Sequence, residues 1–174
     1  MEILAMAIEV RRMEHADIAI LAEEFGINQG WGDKNVAYFT RYFDEQNAGT
    51  RHALVALFGG AVAGYLTVIP NPTYGAFADK GIPIICDFNV LKKFQRRGIG
   101  TALMDAAEKL AEQTADEICL GVCLYTDYGN AQRLYAKRGY IPNGSGVWYK
   151  DKILPPYAPC ANDDDLILYM SKKL

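Results

Sequence analysis

The chain has little of what a metal, redox or nucleic-acid protein needs. Its four cysteines, Cys86, Cys119, Cys123 and Cys160, have no CxxC spacing and it has only two histidines, so no metal site is expected. The first three cysteines lie in apolar, strand-like runs and read as buried reduced thiols. There is no basic excess: 18 Lys and Arg stand against 21 Asp and Glu, a net charge of -3. That argues against a broad phosphate-tracking surface, and no nucleic-acid partner is expected. No apolar run approaches the ~20 residues that span a bilayer. The start, MEILAMAIEVRRM, carries Glu2 and no basic leader, unlike a secretory signal. A cytoplasmic protein without a membrane partner is the expectation.

Two nucleotide signatures are also missing. The P-loop pattern GxxxxGK[ST] is absent, and a GxGxxG fingerprint would need glycine where the chain has Leu103. What is present is ordinary globular composition, 51% apolar and 22% charged over 174 residues. That suits one domain, residues 1–174, with a core that needs no disulfides.

The most informative stretch is Ile82 to Ala111, IPIICDFNVLKKFQRRGIGTALMDAAEKLA. Ile84 to Leu91 has strand length. From Gly98 onward, Ile99, Ala102, Leu103, Ala106, Ala107, Leu110 and Ala111 mark one face of a helix. At such a junction the first helical amides lack intrahelical partners and the helix dipole is positive, so an anion fits. Gly98 and Gly100 remove Cβ atoms there, and Gln95, Arg96 and Arg97 add donors and charge.

Around it, Ala7 to Met13 predicts a strand. A helix carrying Ile18, Leu21, Ala22 and Phe25 follows, with Gly26 placed to end it. A second helix runs from about Asp33, a plausible N-cap, to Asn47, with Tyr38, Phe39, Tyr42 and Phe43 on its surface. His52 to Phe58 and Ala61 to Ile69 predict a hairpin turning at Gly59-Gly60. Glu117 to Tyr125 reads as a strand buried on both faces, parallel to the one before the crossover helix. Asp127 can cap a short helix ending at Gly139. Tyr140 to Lys150 and Leu166 to Ser171 are the last strands, on either side of a Pro-rich segment.

QRRGIG resembles the acyl-coenzyme A signature of the GNAT superfamily of N-acetyltransferases. A second, distant motif agrees: Ala131, Leu134, Tyr135, Gly139 and Tyr140 match the family's A-x-x-L-Y-x-x-x-G-[FY] helix. The resemblance covers nearly the whole chain. It implies the GNAT α/β fold, a mixed sheet of about seven strands splayed between the fourth and fifth and flanked by about four helices. It implies acetyl-CoA as cosubstrate. The backbone of Phe88, Asn89 and Val90 would lie beside the pantetheine arm, and the amides from Arg96 through Gly98, Ile99 and Gly100 to Thr101 would hold the pyrophosphate. The family's pantetheine-contacting asparagine falls at Tyr128, with Asn130 two residues later, so either one can serve.

The resemblance also makes Tyr135 the general acid toward the departing sulfur. A phenol of pKa ~10 keeps its proton at neutral pH. Freeing a neutral amine of pKa ~10.4 at pH 7 costs about 4.6 kcal/mol, the larger demand. The family's basic glutamate falls at Ile84, which cannot serve. Asp87 is the nearest carboxylate on that strand, and desolvation among Ile85, Cys86 and Phe88 would raise its pKa. The same carboxylate reads equally as a hydrogen-bonded structural group or one that faces solvent. Water-mediated removal of the proton by Asp87, or by Glu45 or His52 if the fold brings them near, is the fallback.

Trp31, Tyr38, Tyr42, Tyr74, Phe77, Trp148 and Tyr157 suit an acceptor pocket for a small-molecule or peptide amine, and equally a homodimer face or ordinary core. Asp163 to Asp165 reads as a solvated turn rather than an amine clamp. Transfer of acetyl to a primary amine is thus the first functional expectation. A non-catalytic acyl-CoA sensor or interaction module is the second, and a nucleotide-binding protein the third.

Overall fold

The structure, a computed structural model, describes residues 7–174; the reading of the chain's start as no leader falls partly on residues 1–6 and to that extent lies outside the described residues. The described chain has eight strands and four α-helices: β1 Ile8–Arg12, α1 Asp17–Leu21, α2 Val36–Asn47, β2 His52–Phe58, β3 Ala61–Ile69, β4 Ile84–Val90, α3 Ile99–Ala111, β5 Glu117–Cys123, α4 Gly129–Lys137, β6 Ile141–Tyr149, β7 Lys152–Ile153 and β8 Leu166–Lys173. They form two compact units. One holds the chain up to Ile69 with Asp87–Leu110, the other Pro70–Cys86 with Ala111–Leu174. Among the described residues no helix is long and apolar enough to cross a membrane.

In the first unit the strand order is β1-β2-β3-β4. β1 lies antiparallel to β2, with Ile8 opposite Phe58 and Arg12 opposite Leu54. The β2–β3 hairpin turns where the Gly59-Gly60 pair predicts it, at φ values of +58° and +83°, which glycine adopts at little cost. β3 approaches β4 closely: the Leu91 N–H donates to the Ala63 carbonyl at 2.9 Å. A Cβ on Gly64 would stand 2.7 Å from the Asn89 carbonyl oxygen, so only glycine fits. Leu21, Phe25, Phe39, Tyr42, Val55, Tyr65 and Leu91 form the core of this unit. Phe25 and Phe39 meet the Tyr65 ring edge-on at 4.9 and 5.3 Å. α3 buries Ile99, Leu103 and Met104, each contributing up to ~3 kcal/mol, and the smaller Ala107.

In the second unit β5 pairs antiparallel with β8 from Glu117–Lys173 to Cys123–Ile167, and β8 pairs antiparallel with β6. The opening residues of β4 run parallel to β5, pairing Ile84 with Cys119 and Ile85 with Leu120. The sheet is therefore mixed, as expected, with one strand more than the seven predicted. The addition is the two-residue β7, pairing Lys152 and Ile153 with Tyr149 and Trp148 inside the Pro-rich segment.

Three local expectations are corrected. Gly26 does not end the first helix: α1 continues as a wider π-type coil through Asn28, its Gln29 N–H donating to the Glu24 carbonyl five residues back. Asn35, not Asp33, caps α2, its Oδ1 accepting from the Tyr38 amide at 3.1 Å. Asp127 caps nothing; residues Thr126–Tyr128 form a 3₁₀ turn that runs into α4.

Candidate active site

The wide coil after α1 releases the chain into the segment 29–35, which folds back on the helix. Trp31 N–H donates to the Phe25 carbonyl at 3.2 Å and Lys34 N–H to the Trp31 carbonyl at 2.8 Å. A Cβ on Gly26 would come 2.5 Å from the Lys34 carbonyl oxygen, which is what glycine does at that position. Asn35 then starts α2, whose Tyr38 and Tyr42 lie one turn apart with hydroxyls 2.7 Å from each other.

These tyrosines converge with Tyr65 of β3 on Asp87 of β4. Tyr38, Tyr42 and Tyr65 donate to Asp87 Oδ2 at 2.7, 3.0 and 2.9 Å. Lys34 Nζ and Asn89 Nδ2 donate to Oδ1 at 2.6 and 2.7 Å. The ammonium also donates to Tyr65 Oη at 2.8 Å and Tyr38 Oη at 3.2 Å, so each of its three N–H groups has an acceptor. It stands 4.7 Å from the Tyr38 ring centroid, 5.5 Å from Tyr65 and 5.8 Å from Trp31. Outside the rings, the Arg51 guanidinium stacks on Tyr42 at 4.2 Å.

Asp87 is mid-strand yet has φ +49°, a left-handed backbone that aspartate tolerates better than most residues. Burial pushes its carboxyl pKa up, but the Lys34 charge and the donated hydrogen bonds outweigh burial and hold it below the usual range. The rise expected from the apolar neighbours is thereby reversed, because the neighbours that count are a cation and three phenols. Burial and the Asp87 charge push the phenols of Tyr38, Tyr42 and Tyr65 well above their ordinary value. The fallback groups are engaged differently: Glu45 accepts from Arg51 and pairs with Arg41, while burial and Arg12 lower the pKa of His52.

The turn before α3 is locally left-handed. Arg96 and Gly98 both adopt left-handed backbone, φ +62° and +85°, the type of conformation that turns successive amides into a concave nest. Gln95 to Gly98 are exposed and Ile99 is buried, so the turn faces solvent while the helix is anchored. A Cβ on Gly100 would come 3.2 Å from Phe88 Cζ, so this glycine seats the helix start against β4. Gln95 Nε2 donates to the Val90 carbonyl at 3.1 Å, and Arg97 lies over the Phe58 ring. Along β4, Leu91 N–H on Ala63 and the Asn89 carbonyl against Gly64 turn the odd residues toward β3. Phe88 and Val90 therefore direct their backbone to the other edge.

In the second unit Tyr135 of α4 is buried beside Tyr140, with ring centroids 6.0 Å apart. Burial, and then Cys123, raise its pKa well above the ordinary phenol value. Tyr128 precedes α4 and donates to Asp164 Oδ1 at 3.3 Å; Tyr125 donates to the same oxygen at 2.5 Å. Asn130 is exposed on the first turn. Of the other aromatics, Phe77 and Trp148 pack on Tyr169 at 6.2 and 5.5 Å, and Tyr157 is fully exposed.

Residues 17–140 match the family model described as Acetyltransferase (GNAT) family. The chain belongs to the GNAT acetyltransferase family. Solved structures agree in fold over nearly the whole length of this acetyltransferase. The PaiA N-acetyltransferase of Thermoplasma acidophilum, solved with coenzyme A, is 15% identical with a TM-score of 0.67, covering 97% of this chain and 100% of that one. The ribosomal-protein-alanine N-acetyltransferase of Brucella melitensis is 17% identical with a TM-score of 0.67, over 95% and 99%. An aminoglycoside 6'-N-acetyltransferase in complex with coenzyme A is 16% identical with a TM-score of 0.64, over 95% and 96%. Comparison with curated protein sequences finds no match.

Lys34 and Tyr65, which complete the group around Asp87, were not among the sequence candidates. Both left a signal: Tyr65 is the one aromatic in the apolar run AVAGYLTVI, where a buried hydroxyl needs a partner, and Lys34 stands four residues before Tyr38.

Proposed function

We propose that the protein transfers the acetyl group of acetyl-CoA to a primary amine of a small molecule or peptide by direct attack. The observation that carries this reading is the left-handed pair Arg96 and Gly98 ahead of α3, a cradle of the kind a pyrophosphate needs, in a chain of the acetyltransferase family. Acetyl-CoA supplies a thioester whose C–S bond breaks as the C–N bond forms. Amides from Arg96 to Thr101 hold its pyrophosphate. Phe88 and Val90, whose backbone faces away from β3, suit the pantetheine arm better than Asn89. At α4, Asn130 is the better contact, because the Tyr128 hydroxyl is occupied by Asp164.

Tyr135 donates a hydrogen bond to the leaving sulfur and passes it its proton as the C–S bond breaks, and solvent returns a proton to the phenolate. Its raised pKa keeps it protonated at neutral pH, and a thiolate of thiol pKa ~8.5 asks little of its acid. Asp87 acts by charge rather than as the base, since a carboxylate held below its usual range is a poor proton acceptor. The acceptor's proton passes to water. The competing reading, an acyl-CoA-binding module without transfer, is favoured by Ile84, 3% exposed, at the position of the family's glutamate. Incubation with acetyl-CoA and a panel of primary amines separates the two: thiol release above the hydrolysis background supports transfer, and release at background with retained coenzyme A binding overturns it.

A further inference from the structure

The group around Lys34 has the parts of an alkylammonium receptor: one carboxylate at 2.6 Å, two phenol oxygens at 2.8 and 3.2 Å, and three aromatic rings within 5.8 Å. Its occupant is a side chain of the same polypeptide. The pair is buried but not sealed, since Lys34 and Asp87 keep 12% and 15% of their side-chain surface. The occupant is also a primary amine, the group on which the proposed reaction operates. The outer guanidiniums of Arg41 and Arg51 are neutralised in part by Glu45, which leaves Asp87 as the anion that an entering cation meets.

We propose that Lys34 is a built-in stand-in for a cationic amine of the acceptor: the cage is an alkylammonium subsite, and the acceptor's ammonium enters it by displacing Lys34 from Asp87. This rests on the acetyl-transfer reading above. The exchange leaves one ammonium on one buried carboxylate, so no charge is uncovered, and the released Lys34 ammonium is rehydrated. An ammonium held by Asp87 stays protonated and is no nucleophile. The cage therefore anchors a cationic amine other than the one attacked, and the acceptor carries two amines. What opposes entry is the tether, which keeps Lys34 present at an effective concentration on the order of millimolar or higher.

Removing the Lys34 amine should therefore strengthen binding of a free alkylammonium, because the cage then accepts an untethered cation without a competitor. Titration of n-butylammonium chloride into the wild type and Lys34→Ala, followed by calorimetry and thermal shift, is expected to give at least tenfold tighter binding to the variant. Lys34→Met, whose stem fills the space, should show no gain, and Lys34→Ala/Asp87→Asn should lose it. Equal affinity in wild type and Lys34→Ala, or a gain that survives Asp87→Asn, overturns the proposal. If Lys34→Ala does not fold unaided, it is refolded in n-butylammonium chloride or equimolar sodium chloride: recovery only with the amine supports the subsite, and recovery in neither or in both overturns it. Thiol release by the wild type tests the transfer reading separately, so its failure and that of the cage are distinguishable.

Discussion

Lys34 Nζ lies 2.6 Å from Asp87 Oδ1 across 53 residues of sequence. This contact ties the segment before α2 to the left-handed kink of β4, and removing one partner strands the other in a buried site. Lys34→Met should lower stability by about 3–5 kcal/mol, the cost of breaking a buried pair from one side. Lys34→Met/Asp87→Asn should recover most of the loss, because it leaves no unpaired charge. Chemical denaturation of the two variants measures both values.

The lowered pKa of Asp87 has a definite consequence in acid. A carboxyl bound more tightly as the anion in the folded state contributes stability above its unfolded pKa of ~3.9, and loses it as pH falls through the lower folded value. Denaturation midpoints should be insensitive to this group near neutrality and fall below about pH 4. Asp87→Asn should flatten that acid limb, and an unchanged slope would remove Asp87 as its source.

Tyr135→Phe removes a proton donor without removing a packed ring. Turnover should fall by about 10²-fold while coenzyme A affinity stays within twofold or so. Steady-state rates beside equilibrium titration with coenzyme A separate these, and an unchanged kcat would eliminate the general acid.

If the acceptor's proton passes to water, as proposed, the neutral fraction of the acceptor sets the rate. For an alkylamine of pKa ~10.4, kcat/KM should climb about tenfold per pH unit over roughly pH 6 to 9. A plateau near neutrality would instead reveal an ionising base on the protein.

Gly26→Ala places a Cβ 2.5 Å from the Lys34 carbonyl oxygen. The segment 29–35 has to move, and the cage loses its cation. Because both changes act on the Lys34 contacts, Gly26→Ala should cost less in a Lys34→Met background than in the wild type, by about 0.5–3 kcal/mol of coupling. The same denaturation experiment checks it.

The sheet, the Gly59-Gly60 hairpin and the turn before α3 were legible because each rests on local chemistry: alternation, paired glycines, a basic glycine turn. The Asp87 cage was not. Its carboxylate was visible, but its environment is made of Lys34, Tyr38, Tyr42 and Tyr65, which reach it from three other elements, and the sign of its pKa shift depends on them. Gly26 was misread for a similar reason, since a glycine required by the carbonyl of Lys34 looks in sequence like one that ends a helix. The additional strand β7 was hidden because two residues are too short for a period.

The five donors gathered on Asp87 come from segments spanning Lys34 to Asn89, and this carries a kinetic consequence. The β2–β3 hairpin can form from neighbouring residues, whereas the cage closes only when β4 docks on it and a lysine is dehydrated against a carboxylate. A contact of that sequence separation is expected to form late in folding. Its loss should then appear as faster unfolding with little change in the folding rate, making the same cluster that receives a cation a governor of how long each folded molecule lasts.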